Sequence, residues 1–134
     1  MKYKFTMRVI YKDVDKMGVV HHSNYYNFFE LARTELFRSE GISYKSIEER
    51  GLMFPVAESH CNYRKPVGYD DIIDIFVWVG YARACSIRFN YEIINSIQEV
   101  CTRGHTIHPL IDNNWNIIEC PDDLRLIAEK YIEK

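Results

Sequence analysis

The sequence predicts an α+β fold in which one long apolar helix packs on a curved antiparallel sheet. Three observations carry that prediction. Residues 24–40 place apolar side chains at helical spacing. Several other segments alternate polar and apolar residues with period two, the mark of half-buried strands. After about residue 53 the strand-like segments follow one another without intervening helices, which implies antiparallel pairing and segregates helix from sheet.

The elements follow in order. Tyr3, Phe5, Met7 and Val9 alternate with Lys2, Lys4, Thr6 and Arg8, giving a first strand. A polar loop runs from about Lys12 to Ser23. The long helix spans Asn24 to about Glu40, with Tyr25, Phe28, Phe29, Ala32, Leu36 and Phe37 on its apolar side. Ser23 or Asn24 caps its start and Gly41 ends it. A short helix is expected over Ser43–Arg50 and a strand over Met53–Tyr63. Turn chemistry follows at Pro66–Asp70. The run Ile72–Val79 reads as an interior strand, and Cys85–Ile93 as a second one with clean alternation. Glu99–Leu110, interrupted by Gly104, predicts a weaker strand, and Asn116–Ile118 a short one. Pro121 opens a closing helix, with Asp122 and Asp123 where the helix dipole favours acids.

Composition excludes several classes of function. A length of 134 residues suits a single domain, 1–134. With 17 basic and 19 acidic residues the net charge is −2, so nucleic acid is not expected as a partner. The longest apolar stretch, Ile75–Ala82, is far short of the roughly 20 residues of a membrane span. The opening segment has no apolar core of a signal peptide. Cys61, Cys85, Cys101 and Cys120 form no metal-binding spacing and read as reduced, packed thiols of a cytoplasmic protein. His105 and His108 are three apart on a strand, hence on opposite faces, so no metal is expected there. His60 is expected to be a hydrogen-bonded structural histidine.

The loop before the long helix concentrates Asp13, Asp15, Gly18, His21 and His22. Free N–H groups and the dipole at a helix N-terminus favour developing negative charge. A carboxylate beside them can act as general base or nucleophile. These are the parts that acyl transfer requires.

The residues Tyr11, Asp13, Asp15, Gly18-Val19-Val20, His22 and Tyr25 continue into Phe29-Glu30, Ala32-Arg33-Thr34-Glu35, Gly41-Ile-Ser-Tyr44, Phe54-Pro-Val-Ala-Glu58, Tyr63-Arg64, Pro66 and Tyr69-Asp-Asp71. This pattern resembles the hydroxybenzoyl-CoA-thioesterase family of hotdog-fold proteins, with acyl-CoA thioesterases of the YbgC/FadM type nearest. It spans about two-thirds of the chain.

The resemblance implies hydrolysis of acyl-CoA thioesters without metal or organic cofactor, by a homodimer or homotetramer with sites at the interface. Asp15 matches the family's catalytic aspartate, and Gly18 the glycine of the tight loop. His22 matches the residue whose backbone N–H polarises the thioester oxygen. His21 departs from the tyrosine usual there. Asn24 or Ser23 is expected to orient the loop, Asn24 and Tyr25 to border the substrate, and Glu58 to contribute a second carboxylate. Arg64, Lys65, Arg83 and Arg88, with the Ser86 hydroxyl, are candidates for holding the CoA phosphates. The alternative reading is a non-catalytic module that binds acyl-CoA or an acyl carrier protein. A hotdog dehydratase is a third, but its histidine–carboxylate motif is not found.

Overall fold

A computed structural model of the chain describes residues 1–133. Strand β1 (Tyr3–Arg8) is followed by helix α1 (Tyr25–Ser39) and helix α2 (Tyr44–Glu49). Strands β2 (Glu58–Tyr63), β3 (Ile72–Ala82), β4 (Ser86–Asn95) and β5 (Val100–Pro109) follow, and α3 (Asp122–Lys130) closes the chain. The five strands form one antiparallel sheet in the order β1-β3-β4-β5-β2.

The core lies between α1 and the inner face of this sheet. α1 contributes Tyr25, Phe28, Phe29, Ala32, Leu36 and Phe37, all buried. The alternation of β3 and β4 delivers Ile73, Ile75, Val77 and Val79, and Ile87, Phe89, Tyr91 and Ile93, to the same layer. Phe29 stacks on Tyr91 with ring centroids 4.2 Å apart. α1 ends where Gly41 adopts φ +85°. The Gly41 N–H donates to the Arg38 carbonyl and the Ile42 N–H to that of Phe37, so the last turn satisfies its own orphan acceptors. Ser43 caps α2 by accepting the Ser46 N–H at 3.1 Å.

Two expected strands are corrected. The strand anticipated over Met53–Tyr63 forms only from Glu58 onward. Pro55 has no N–H to give a ladder, and Met53 keeps a single bridge, to Ile111. Asn116–Ile118 makes no strand; one bridge joins Ile117 to Ile111. There the Asp112 carboxylate takes the N–H groups of Asn114 and Asn116, and Trp115 adopts φ +63°. Side-chain hydrogen bonding has displaced the ladder.

Gly104 sits on β5 because the space is full. A Cβ there would lie 2.6 Å from the His60 carbonyl and 2.8 Å from the Phe29 ring. The glycine lets α1 and β2 close on β5.

Pairing also fixes which loops meet. Arg8 lies beside Ile72, Ile73 beside Asn95, Ile94 beside Val100, and Tyr63 beside Thr102. The loop after β1 and the segment after β2 therefore leave the same end of the sheet. The β3–β4 hairpin and the start of β2 lie at the other end. β4 alone has ten residues, roughly 30 Å at 3.3 Å per residue.

Candidate active site

The loop between β1 and α1 folds as a small hairpin. Val14 bridges Val20, and the Asp15 N–H donates to the Val19 carbonyl at 2.9 Å. At its tip the Gly18 N–H donates to the Asp15 carbonyl, with Gly18 at φ +79°, a conformation glycine adopts without strain. The hairpin is tied to the segment after β2: the Val20 N–H donates to the Val67 carbonyl at 2.7 Å, and Val19 bridges Gly68.

Two aspartates two residues apart receive opposite environments. Asp13 is buried, 8% exposed, and its carbonyl accepts the His21 N–H and the Asn24 side-chain amide, each at 3.0 Å. It joins the loop to the helix start. Asp15 is half-buried and forms no ion pair among the described residues. Its Oδ1 accepts the Met17 N–H at 2.8 Å, which fixes the carboxylate in an Asx turn. It borders a cleft of about 370 Å³ with Met17, Val19, His22, Tyr25 and Tyr63, rimmed by Arg64 and Lys65.

α1 is entered through a tight turn, His22–Asn24. His21 precedes it with φ −66° and ψ 138°, and its Nδ1 accepts the Ser23 N–H at 3.3 Å. His21 thus caps the turn, and its ring lies 4.2 Å from that of His22. The His22 N–H, first in the turn, makes no backbone hydrogen bond among the described residues. The His22 carbonyl accepts from the Tyr63 hydroxyl at 3.4 Å. Tyr63 also meets Tyr25 edge-on at 5.1 Å, closing one wall of the cleft.

Of the residues singled out from the sequence, Asp15, His22, Tyr25, Arg64 and Lys65 share this cleft, and Gly18 shapes its loop. Arg64 donates to Asn62 at 3.1 Å, and Lys65 pairs with Glu99. Asn24 serves the loop through Asp13 instead of lining the cleft. Glu58, Arg83 and Ser86 lie at the opposite end of the sheet. Arg83 stacks its guanidinium on Tyr81, 4.0 Å from the ring centroid. Arg88 lies on the outer face of the sheet and donates to Asn90. Within one chain these four do not reach Asp15.

Tyr63 was not singled out as a wall residue, although its alternation with Cys61 placed it on the inner face. His60, expected to be hydrogen-bonded, is instead exposed and stacks on His105 at 5.4 Å, because its strand position faces outward. His108, on the other face from His105, is wholly buried. Burial, and next the Arg33 charge, lower its pKa to about 4, so the imidazole is neutral at pH 7. All four cysteines are free. Burial raises the thiol pKa of Cys61 and Cys101 and pushes that of Cys120 up to about 11, so these three are protonated at neutral pH.

Comparison with known proteins agrees with this architecture. The "Acyl-CoA thioesterase YbgC" of Haemophilus influenzae is 32% identical over 95 residues, covering 70% of each chain. The "Acyl-CoA thioester hydrolase YbgC" of Escherichia coli is 28% identical over 110 residues, covering 82% of each. Among solved structures, a DHNA-CoA thioesterase from Staphylococcus aureus superposes with a TM-score of 0.91 at 28% identity, covering 96% of this chain and 89% of that one. The sequence profile of the thioesterase-like superfamily matches residues 9–126, which include all of α1 and four of the five strands, β2–β5, and the chain belongs to that superfamily.

Proposed function

We propose that this protein hydrolyses acyl-CoA thioesters to the free acid and CoA, with Asp15 as the reacting carboxylate and the His22 N–H as oxyanion donor. The observation that carries the reading is the shared cleft: Asp15, whose Oδ1 accepts the Met17 N–H, borders it together with His22, the first residue of the turn that leads into α1, whose N–H has no backbone acceptor among the described residues. The thioester carbonyl oxygen would sit on the His22 N–H. Asp15 then takes a proton from the attacking water, or attacks the carbonyl carbon itself to give, once the thiolate has left, a mixed anhydride that water cleaves to the free acid and the restored Asp15 carboxylate. Collapse of the tetrahedral centre breaks the C–S bond, and the CoA thiolate leaves and picks up a proton. Main-chain donors aimed at developing charge are worth about 10²–10³ in rate each, and a positioned base about 10²–10⁴.

Arg64 and Lys65 at the rim supply positive charge for the phosphates of CoA or the phosphopantetheine of an acyl carrier protein. Arg83, Ser86, Arg88 and Glu58 can take part only from a second copy, which accords with a cytoplasmic homodimer or homotetramer of this single catalytic domain. The family match and the YbgC relatives support the substrate class.

Three variants test the mechanism in a thiol-release assay over acyl-CoAs of graded length. Asp15→Asn should lower kcat by about 10²–10⁴ with an unchanged thermal midpoint. His22→Ala keeps the main-chain donor and should retain activity within about tenfold. His22→Pro removes that donor, in a place where His21 already has the extended backbone that precedes proline. It should lose about 10²–10³. Parent-level turnover by Asp15→Asn refutes the mechanism; tight CoA binding with no thiol released by the parent protein refutes the activity.

A further inference from the structure

Arg33 occupies a position on α1 that its neighbours Phe29, Ala32, Leu36 and Phe37 would assign to an apolar residue, and it is only 7% exposed. Its Nε donates to the Tyr44 hydroxyl and its Nη1 to the Tyr91 hydroxyl, each at 2.9 Å. The chain continues from Tyr91 to the Thr106 hydroxyl at 2.7 Å, and on to His108 Nε2 at 2.8 Å. These partners are three hydroxyls and an imidazole, and none of them is a carboxylate. Among the described residues no carboxylate oxygen lies within 4 Å of the guanidinium, and Nη2 has no hydrogen-bond partner. A buried cation without a counter-charge is an unfavourable arrangement unless something else supplies the negative charge.

The side chain is not sealed in. It lines a cavity of about 460 Å³ whose walls are largely apolar, formed by Ile47, Leu52, Phe54, Pro55, Ile111 and Trp115. Glu30 and Glu48 also border it, but both are exposed to solvent. One buried charged group in a largely apolar pocket of a few hundred Å³ is the arrangement of a small-molecule site. None of its residues borders the Asp15 cleft.

We propose that this cavity is a second ligand site, which takes a free carboxylic acid with an aliphatic or aryl body. The carboxylate accepts from Arg33 Nη2, and the apolar body lies along Ile47, Leu52 and Phe54. The charge-assisted contact selects the acid over a neutral molecule of the same shape. The same acid class is what thioester hydrolysis releases, yet the site stands on the Arg33 geometry whether or not Asp15 is catalytic.

Calorimetric titration of the full chain with octanoate and with 1-octanol tests it. One octanoate per chain is expected, bound at least about tenfold more tightly than octanol, with Arg33→Met removing that preference. Met53→Trp, a substitution on the half-exposed cavity wall, should abolish octanoate binding at an unchanged thermal midpoint. This variant decides the matter even if Arg33→Met does not fold. Asp15→Asn should bind octanoate as the parent does. No saturable binding at millimolar octanoate, equal affinity for octanol, or full binding by Met53→Trp each overturns the proposal.

Discussion

His108 shows how a single buried side chain makes the fold sensitive to acid. It is wholly buried, and its Nδ1 meets the Phe54 carbonyl at 3.1 Å while Nε2 meets Thr106. Its folded pKa of about 4 lies below the ordinary value of 6.5. Below pH 6.5 the unfolded chain takes up a proton that the folded chain refuses, so stability falls as pH drops from about 6.5 to about 4 and is fully present above that range. By pH 4.5 the loss should reach roughly 2–3 kcal/mol, at 1.36 kcal/mol per pKa unit. Denaturant unfolding at pH 7 and pH 4.5 measures it, and His108→Gln should flatten the dependence over this window. A slope that persists in the variant would assign the acid sensitivity to other groups. Asp13 and Asp15 also differ by environment: Asp13 is buried and gives its main-chain carbonyl to the loop, while Asp15 borders the cleft with Oδ1 on the Met17 N–H.

At the scale of elements, packing leaves no room at Gly104, where β5 meets the β2 backbone on one side and the Phe29 ring of α1 on the other. Gly104→Ala would drive a methyl group into the His60 carbonyl, a backbone atom that cannot rotate away. Overpacking of this kind costs about 1–3 kcal/mol, a drop in thermal midpoint of several degrees. A midpoint equal to the parent's would mean that β2 moves freely on β5. Elements with strong internal periodicity, such as β1, α1 and β4, were legible in the sequence. The pairing of β2 with β5 was not, because it depends on contacts some 40 residues apart and not on any local pattern. Pro55 shortened β2, and Asp112 removed the small strand near residue 117, by chemistry that a count of apolar residues overlooks. At the site, the loop motif exposed Asp15 and His22. It could not reveal Tyr63 closing the wall, nor that Arg33 is buried among apolar neighbours, since both follow from how the sheet curves around α1.

For the whole molecule, the decisive geometry is the length of the sheet. Asp15, Arg64 and Lys65 sit at one end, and Arg83 and Ser86 at the other, separated by most of β4. If a second copy completes the site, two defective variants should repair each other. Asp15→Asn, which lacks the reacting group, mixed with Arg83→Ala, which lacks a distant cation, should regain turnover above the sum of the separate preparations, because a mixed dimer contains one intact site. No gain after subunit exchange would place the whole CoA-binding apparatus within one chain. Of the two edge strands, β1 and β2, β2 is the one exposed along most of its length.

The burial of three sulfur atoms has a consequence for the company this protein keeps. A catalyst that liberates a mercaptan works beside a reagent able to trade partners with any disulfide or to be trapped by any oxidant, and such exchange begins from ionised sulfur. Cys61, Cys101 and Cys120 are held in the un-ionised form. These three are poor targets for mixed-disulfide capture by the thiol that the reaction releases.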